Sequence, residues 1–201
     1  MLPTLLFLVV LAVESPLLLS SCVLNPGSSD DPPDTVPVTD LDRKTPAHLI
    51  ENYLEFVYAD MDSVKYEEAL DDAYTFELLE EDPDPDFPEG WWDKIEELAI
   101  AGNMFKGRAN PEGQTVDDIL LTLQIRSNVV DNTNYPGKPP GETWYRIMTV
   151  VDLRVIADDP DDPEGVVNFL VNSDQIFICR PDPDADSLWT IFRQIDQPGI
   201  N

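Results

Sequence analysis

The hydrophobic periodicity of the chain changes once, near residue 107, and this change constrains the fold more than any other feature. Before it, apolar residues recur every three or four positions, as in amphipathic helices. After it, they alternate with polar residues over four long segments, as in half-buried strands. No helical pattern lies between those segments. Helices followed by consecutive strands predict a segregated α+β domain with an antiparallel sheet.

Three helices and one short strand are predicted before residue 107. Thr45 followed by Pro46 is typical of an N-cap and a first helical position. The helix that follows carries an apolar stripe of Leu49, Ile50, Tyr53, Leu54, Val57 and Met61. A shorter helix is predicted with Ser63 as its cap, and a short strand over residues 74–79. A third helix is predicted to open at Gly90-Trp91-Trp92, with Ile95, Leu98, Ala99, Ala101 and Met104 facing inward.

Four strands are predicted after that point, separated by turns rich in proline. Their ranges are 116–130, 143–156, 166–180 and 187–196. The polar run Asn172-Ser173-Asp174 interrupts the third of these strands, which indicates a bend or a bulge there.

The N-terminus resembles a bacterial lipoprotein signal. Two apolar runs within residues 1–21 are each shorter than the roughly 18–20 residues of a transmembrane helix. Leu19-Ser20-Ser21-Cys22 resembles a lipobox, in which the cysteine is lipidated and becomes the first residue after cleavage. The resemblance predicts a signal peptide over 1–21 and a membrane anchor on Cys22.

Residues 22–44 form the predicted tether between this anchor and a folded domain over residues 45–201. The tether is rich in Asp, Pro and Ser, a composition that buries too little apolar surface to order itself. An anchor followed by such a tether places the folded domain outside the cytoplasm, on the bacterial cell envelope.

The charge of the chain excludes some functions. With 40 Asp and Glu against 12 Lys and Arg, the formal net charge is −28, so nucleic acid is not an expected partner. One His and two Cys leave no basis for a tight metal site, and no cofactor is expected. The Asp/Pro-rich loops fail the EF-hand pattern: counting from Asp82, the Gly and Glu positions hold Phe87 and Asp93. Solvated loop charge is the favoured interpretation.

The order of elements resembles the NTF2-like (SnoaL-like) family, a cystatin-like cone. The matching stretches are Thr45–Phe56, Tyr66–Phe76, Trp92–Phe105 and the final Trp189-Thr190-Ile191 strand, within residues 45–197. The resemblance implies three N-terminal helices packed on a strongly bent antiparallel sheet, which wraps the first helix and leaves a pocket at its wide end. This fold hosts isomerases, cyclases and non-catalytic modules, so it does not select a function.

Two residues are candidates for acid–base chemistry of the ketosteroid-isomerase type that the resemblance implies. Tyr53 lies on the inward stripe of the first helix, and Asp152 interrupts an apolar strand. The alternative, which we favour, makes Tyr53 a core aromatic residue. It places Asp152 on the solvated face together with Arg146 and Arg154.

The arginines and one tryptophan are candidates for ligand binding. Five of the seven arginines lie in predicted strands, among them Arg126, Arg146 and Arg154, and could bind an anionic ligand. The favoured alternative pairs each arginine with an acidic neighbour. Trp91 and Trp92 could line the mouth of a pocket, and Trp92 and Tyr53 are candidate contacts for a small apolar ligand.

Three functional hypotheses follow. The leading one is a lipid-anchored, non-catalytic domain that binds a small ligand or a protein partner. The alternative is a SnoaL/ketosteroid-isomerase-type enzyme, which requires an ionisable side chain inside an apolar cavity. The third is a structural role as a homodimer formed through the sheet, which requires exposed apolar side chains on that sheet.

Overall fold

The computed structural model describes residues 42–78, 87–107, 109, 113–160 and 162–197. The predicted signal peptide, Cys22 and nearly all of the tether lie outside these ranges. Ordered contacts already begin before residue 45, because Arg43 is buried and its carbonyl accepts a hydrogen bond from Trp189 N (2.8 Å). Within the described ranges, no helix is long and apolar enough to cross a membrane.

Helix α1 spans residues 46–59 and begins where the sequence predicts. Thr45 caps it in an extended conformation, its hydroxyl accepts a hydrogen bond from His48 N, and Pro46 occupies the first turn. The helix has α-helical ends, Pro46–His48 and Glu55–Ala59, around a π-helical middle, Leu49–Leu54. The wider π turn keeps four side chains of this segment buried: Leu49, Ile50, Tyr53 and Leu54.

The next two helices begin at caps other than those predicted. Helix α2 is Ser63–Ala69, and its cap is Asp62, whose carboxylate accepts hydrogen bonds from Val64 N and Lys65 N (3.1 Å each). Helix α3 is Lys94–Phe105, capped by Asp93 in a capping box with Glu96. The prediction that Ser63 is a cap was therefore wrong, because the carboxylate one position earlier reaches the free N–H groups.

Gly90-Trp91-Trp92 does not open a helix, since Trp91–Asp93 is strand β2 and pairs with β1 (Leu70–Glu77). The buried face of α3 also differs from the predicted one. Ala101 is buried and Met104 is partly buried, as predicted, whereas Ile95 and Ala99 are exposed, against the prediction.

The second half of the chain forms the four predicted long strands. They are β3 Val116–Asp131, β4 Trp144–Asp159, β5 Asp162–Pro181 and β6 Trp189–Gln197. Together with the first two strands they make one six-stranded sheet in the order β2-β1-β6-β5-β4-β3. The α+β class, with three helices packed on a bent sheet, is confirmed.

One pair of strands departs from the antiparallel expectation. Strands β1 and β6 run parallel, while the other neighbours pair antiparallel. The reason is topological: β1 and β2 come from the helical half of the chain and join the sheet beside its last strand, not through a hairpin.

The sheet contains bulges, but none at residues 172–174, so the predicted bulge there was wrong, and the alternative of a bend stays a prediction. Strand β5 pairs continuously with β4 through residues 172–174. The register shifts instead at Arg126, an extra residue of β3 between Ile125 and Ser127, and at Phe192 in β6.

The sheet curves around helix α1, as the sequence predicts. Leu49, Ile50 and Val57 of the helix are fully buried in one cluster with Ile119 of β3 and Phe177 of β5. The helix also satisfies the free edge of β3, because Glu55 Oε1 accepts a hydrogen bond from Leu123 N (2.6 Å). The geometry required for an internal cavity is therefore present.

Candidate functional site

A cavity of about 230 Å³ lies between the inner face of the sheet and helices α1, α2 and α3. Most of its wall is aliphatic or aromatic. Its lining residues are Leu54, Tyr58, Tyr66, Phe76, Trp92, Glu97, Ile100, Ala101, Met104, Leu121, Leu123, Val151, Leu153, Val171, Gln175, Phe177, Ile191 and Gln194.

Glu97 is the acidic side chain among those lining residues. It occupies the fourth position of α3, directly after the capping box of Asp93 and Glu96, and lies on the buried face of the helix with Ala101 and Phe105. The residue is only 7% exposed. One carboxyl oxygen accepts a hydrogen bond from Tyr66 Oη (2.5 Å), and the other accepts one from Trp92 Nε1 (2.6 Å).

Two further aromatic side chains, Tyr58 and Phe76, support the two donors of this carboxyl. Tyr58 Oη donates to Tyr66 Oη (3.3 Å), which extends the hydrogen-bond chain from helix α1 to Glu97. The Tyr58 and Tyr66 rings meet edge to face, with centroids 5.4 Å apart. Trp92 stacks on Phe76 with a centroid distance of 4.2 Å and an interplanar angle of 3°. The carboxyl is therefore preorganised rather than mobile.

Burial dominates the electrostatics of this group. It raises the pKa of Glu97, and the hydrogen bonds from Tyr66 and Trp92 oppose that shift only in part. Burial likewise raises the pKa of Tyr66 and of Tyr74 well above the ordinary value, with the Glu97 charge as the next cause. The tyrosines therefore act as hydrogen-bond donors at neutral pH.

A second polar chain reaches the cavity from the strands. Tyr74 Oη donates to the side-chain oxygen of Gln194 (3.0 Å), and Gln194 Nε2 donates to that of Gln175 (2.7 Å). The cavity thus offers one carboxyl and two amides on an otherwise apolar wall.

Of the predicted site residues, only Trp92 lies in the cavity wall. Tyr53 is buried elsewhere in the core, where its hydroxyl donates to Lys65 O (3.2 Å), and burial raises its pKa to about 12. Asp152 and Arg154 are exposed on the outer face of the sheet. Arg126 and Arg146 lie outside the cavity wall as well, so the structure does not bring the predicted set together.

Most strand arginines form ion pairs with acidic neighbours. The pairs are Arg126–Asp174 (3.2 Å), Arg146–Asp131 (3.5 Å), Arg180–Asp71 (2.5 Å) and Arg193–Glu77 (2.9 Å). Arg154 Nε donates to Asn168 Oδ1 (2.8 Å). A ligand-binding role for Arg126, Arg146 or Arg154 stays a prediction, and an anionic ligand would have to displace these contacts.

Glu97 was missed by the sequence analysis, although a signal for it exists. Glu97, Ala101 and Phe105 recur every four positions and all three are buried. The predicted helix start directed attention to Ile95 and Leu98 instead. The Asp93 and Glu96 capping box marks the start of α3, and the i, i+4 spacing of Glu97 with the apolar residues Ala101 and Phe105 is the signal that places a carboxyl on their face.

A wider polar groove, of about 520 Å³, lies near helix α2. It is lined largely by acidic side chains, including Glu67, Asp71, Asp72 and Asp184. Among the described residues, no group of three or more His, Cys, Asp or Glu side chains is arranged to hold a metal ion.

Comparison with known proteins identifies the fold alone. No family model and no curated protein matches the chain. Similar solved structures include an NTF2-like superfamily protein from Salmonella enterica serovar Typhimurium, at 11% identity and a TM-score of 0.43, over 74% of this chain and 84% of that one. A ketosteroid isomerase-like protein from Erwinia carotovora atroseptica is 12% identical, with a TM-score of 0.41, over 73% of this chain and 87% of that one. The CaMKII hub of S. rosetta is 16% identical, with a TM-score of 0.43, over 72% of this chain and 87% of that one. The first is described as NTF2-like and the second as ketosteroid isomerase-like, the two kinds of protein that the sequence resembles.

Proposed function

We propose that this chain is a lipid-anchored protein of the bacterial cell envelope whose NTF2-like domain binds a small ligand in the cavity around Glu97. The observation that carries the proposal is the buried Glu97 carboxyl, held by Tyr66 and Trp92 inside an otherwise largely apolar wall. A few fixed polar groups in a concave apolar site are typical of small-molecule binding.

The size of the cavity limits the ligand. Its volume of about 230 Å³ lies below the ~300–1,000 Å³ of most ligand sites. An engineered apolar cavity of about 150 Å³ accepts benzene. The ligand is therefore of about the size of one substituted ring.

Filling the cavity tests the proposal. Ala101→Leu places extra methyl groups in the wall, whereas Ala99→Leu adds the same groups on the exposed side of the same helix. We expect Ala101→Leu to lower the affinity for single-ring compounds at least about tenfold, measured by calorimetry and by Trp92 fluorescence. Ala99→Leu should bind as the unaltered protein does. Equal binding by both variants would refute the cavity as the ligand site.

A second candidate function, acid–base catalysis, is favoured by the phenols beside Glu97. A carboxylate there could remove a proton from the carbon next to a carbonyl group, while a tyrosine hydroxyl donates to the developing oxyanion. The test is deuterium exchange at the α-carbon of cyclic ketones, followed by NMR. Glu97→Gln should lower the protein-dependent rate by about 10²–10⁴-fold. An unaltered protein with no rate above buffer would eliminate this candidate.

The anchor and the localisation rest on the sequence of residues 1–44. Cys22→Ser should release the protein from membranes into the soluble fraction. Cys179→Ala is the matched control, because Cys179 is fully buried in the folded domain and should leave membrane association unchanged. Retention of the Cys22→Ser variant on membranes would overturn lipidation.

Homodimerisation through the sheet stays a prediction. The outer face exposes Leu120 and Leu170, which flank Arg154 in one cross-strand row. Such side chains meet the requirement stated for that hypothesis. Leu170→Glu should convert a dimer to a monomer in light-scattering measurements, and a monomeric unaltered protein would end the hypothesis.

A further inference from the structure

We propose that the ligand of the Glu97 cavity is an organic cation, a small aromatic or aliphatic amine whose ammonium group pairs with the Glu97 carboxylate. This inference rests on the proposed function, because it names the chemical class of ligand for the same cavity. Three observations carry it: no basic side chain of the described residues lines the cavity, the wall is rich in aromatic side chains, and the whole chain is strongly acidic.

Glu97 differs from the other buried carboxylates. Asp71, Asp131 and Asp174 are the others among the described residues, and each lies within 3.5 Å of an arginine nitrogen. No Lys, Arg or His of the described part of the chain lines the Glu97 cavity. A buried charge without a countercharge is unfavourable, so the fold leaves here a charge that a cationic ligand can balance.

Lys94, the nearest basic residue along helix α3, interacts with groups other than Glu97. Lys94 Nζ donates to Leu70 O (2.9 Å) and pairs with Asp72 (3.1 Å). Lys94 therefore does not serve as the missing partner of Glu97. The two donors that Glu97 does have, Tyr66 and Trp92, are neutral and occupy only two of the roughly four acceptor positions of a carboxylate.

The wall of the cavity suits a cation better than a neutral polar group. Five aromatic side chains line it, namely Tyr58, Tyr66, Phe76, Trp92 and Phe177. Aromatic faces attract cations within about 6 Å, and desolvation strengthens that attraction. A carboxylate combined with aromatic side chains therefore recognises an ammonium group by two independent interactions.

The field of the protein adds selectivity for cations. A formal net charge of −28 raises the local concentration of cationic ligands and disfavours anions. A neutral carbonyl ligand would gain nothing from this field. It would also require Glu97 in its protonated form to donate a hydrogen bond.

A pair of isosteric probes tests the inference. Benzylamine and benzyl alcohol differ chiefly in charge, and both are single-ring compounds that suit the cavity volume. At about pH 8 an aliphatic amine is protonated in solution, whereas the alcohol is neutral. We expect the unaltered protein to bind benzylamine at least about tenfold more tightly than benzyl alcohol, measured by calorimetry.

Glu97→Gln removes the charge with little change of shape, and near-UV circular dichroism verifies its fold. The preference for benzylamine should fall to about twofold or less in this variant. Glu96→Gln is the matched control: it removes the same charge one residue earlier on the exposed surface, keeps the capping box, and should retain the full preference.

The other outcomes overturn the cationic ligand, and they distinguish its failure from a failure of ligand binding as such. Equal binding of both probes to the unaltered protein, or a preference that survives Glu97→Gln, refutes the cation while leaving ligand binding in the cavity intact. Binding of neither probe refutes both the cation and the proposed function.

Discussion

Two carboxylates are buried in this domain in opposite ways. Asp71, on strand β1, is 2% exposed, pairs with Arg180 (2.5 Å) and accepts a hydrogen bond from Ala73 N (2.8 Å). Glu97, on helix α3, is 7% exposed and is held by a phenol and an indole. The first pairs with an arginine, whereas no Lys, Arg or His among the described residues pairs with the second.

The difference separates a charge that is balanced within the fold from the carboxyl on which the proposed ligand site depends. A balanced buried ion pair fixes two elements in register, here β1 and β5. Removing one partner leaves the other as a buried charge without compensation. A buried carboxyl that accepts hydrogen bonds from neutral donors alone can still interact with a bound ligand. The comparison predicts that loss of a charged group lowers the free energy of unfolding at the Asp71–Arg180 pair and has the opposite effect at Glu97.

The largest effect is expected at the paired site. Arg180→Met leaves Asp71 buried without its cation, and should lower the free energy of unfolding by about 3–5 kcal/mol. Urea denaturation at neutral pH measures this loss. The double variant Arg180→Met with Asp71→Asn also removes the uncompensated charge, and should recover a large part of the lost free energy of unfolding. A loss below about 1 kcal/mol for Arg180→Met would remove the contrast between the two sites.

Glu97→Gln should have a much smaller effect, and one that depends on pH. The Gln oxygen can accept from Trp92 and its amide can donate to the Tyr66 hydroxyl, so no buried group loses its partner. Burial raises the pKa of Glu97 in the folded protein above the ordinary value near 4.5, so the folded state binds more protons than the unfolded state between those two pKa values. The contribution of Glu97 to stability therefore falls as the pH rises through this window.

The measurement is the difference in unfolding free energy between Glu97→Gln and the unaltered protein at a series of pH values. The difference should move in favour of the variant from about pH 4.5 upward and then level off, by about 1.4 kcal/mol for each unit of pKa shift. Tyr58, Tyr66 and Tyr74 face Glu97 but have raised pKa values and stay protonated throughout. A difference independent of pH would contradict an elevated pKa.

The smallest effect concerns the indole donor. Trp92→Phe removes one hydrogen bond to Glu97 while an aromatic ring remains to stack on Phe76, and should cost about 1 kcal/mol. It should also raise the pKa of Glu97 further, which carboxyl-selective NMR titration detects. Trp91→Phe is the control, because Trp91 is largely exposed and has no such role. Equal titration curves for both variants would show that the indole does not hold the carboxyl.

The sequence predicted those parts of the fold that local rules determine. Thr45 and Pro46 set the start of α1, and strict alternation set the four long strands to within a few residues. These signals are local, since each depends on neighbouring residues or on one face of one element. The wrapping of the sheet around α1 followed from the order of those elements.

What the sequence did not predict depends on contacts between distant segments. The parallel pairing of β1 with β6 joins residues more than one hundred positions apart. The cavity carboxyl was missed because the face of α3 that is buried is set by packing against distant segments, and the stripe through Ile95 competes in the sequence with the one through Glu97, Ala101 and Phe105. No local pattern reports that a carboxylate lacks a countercharge in three dimensions.

The most direct measurement is a crystal structure of the protein with benzylamine, with the electron density of the bound amine as the readout. We expect the ring inside the cavity and the nitrogen about 2.7–3.2 Å from a Glu97 carboxyl oxygen. Amine found only in the acidic groove near Asp71 and Asp72, with the Glu97 cavity empty, would contradict it.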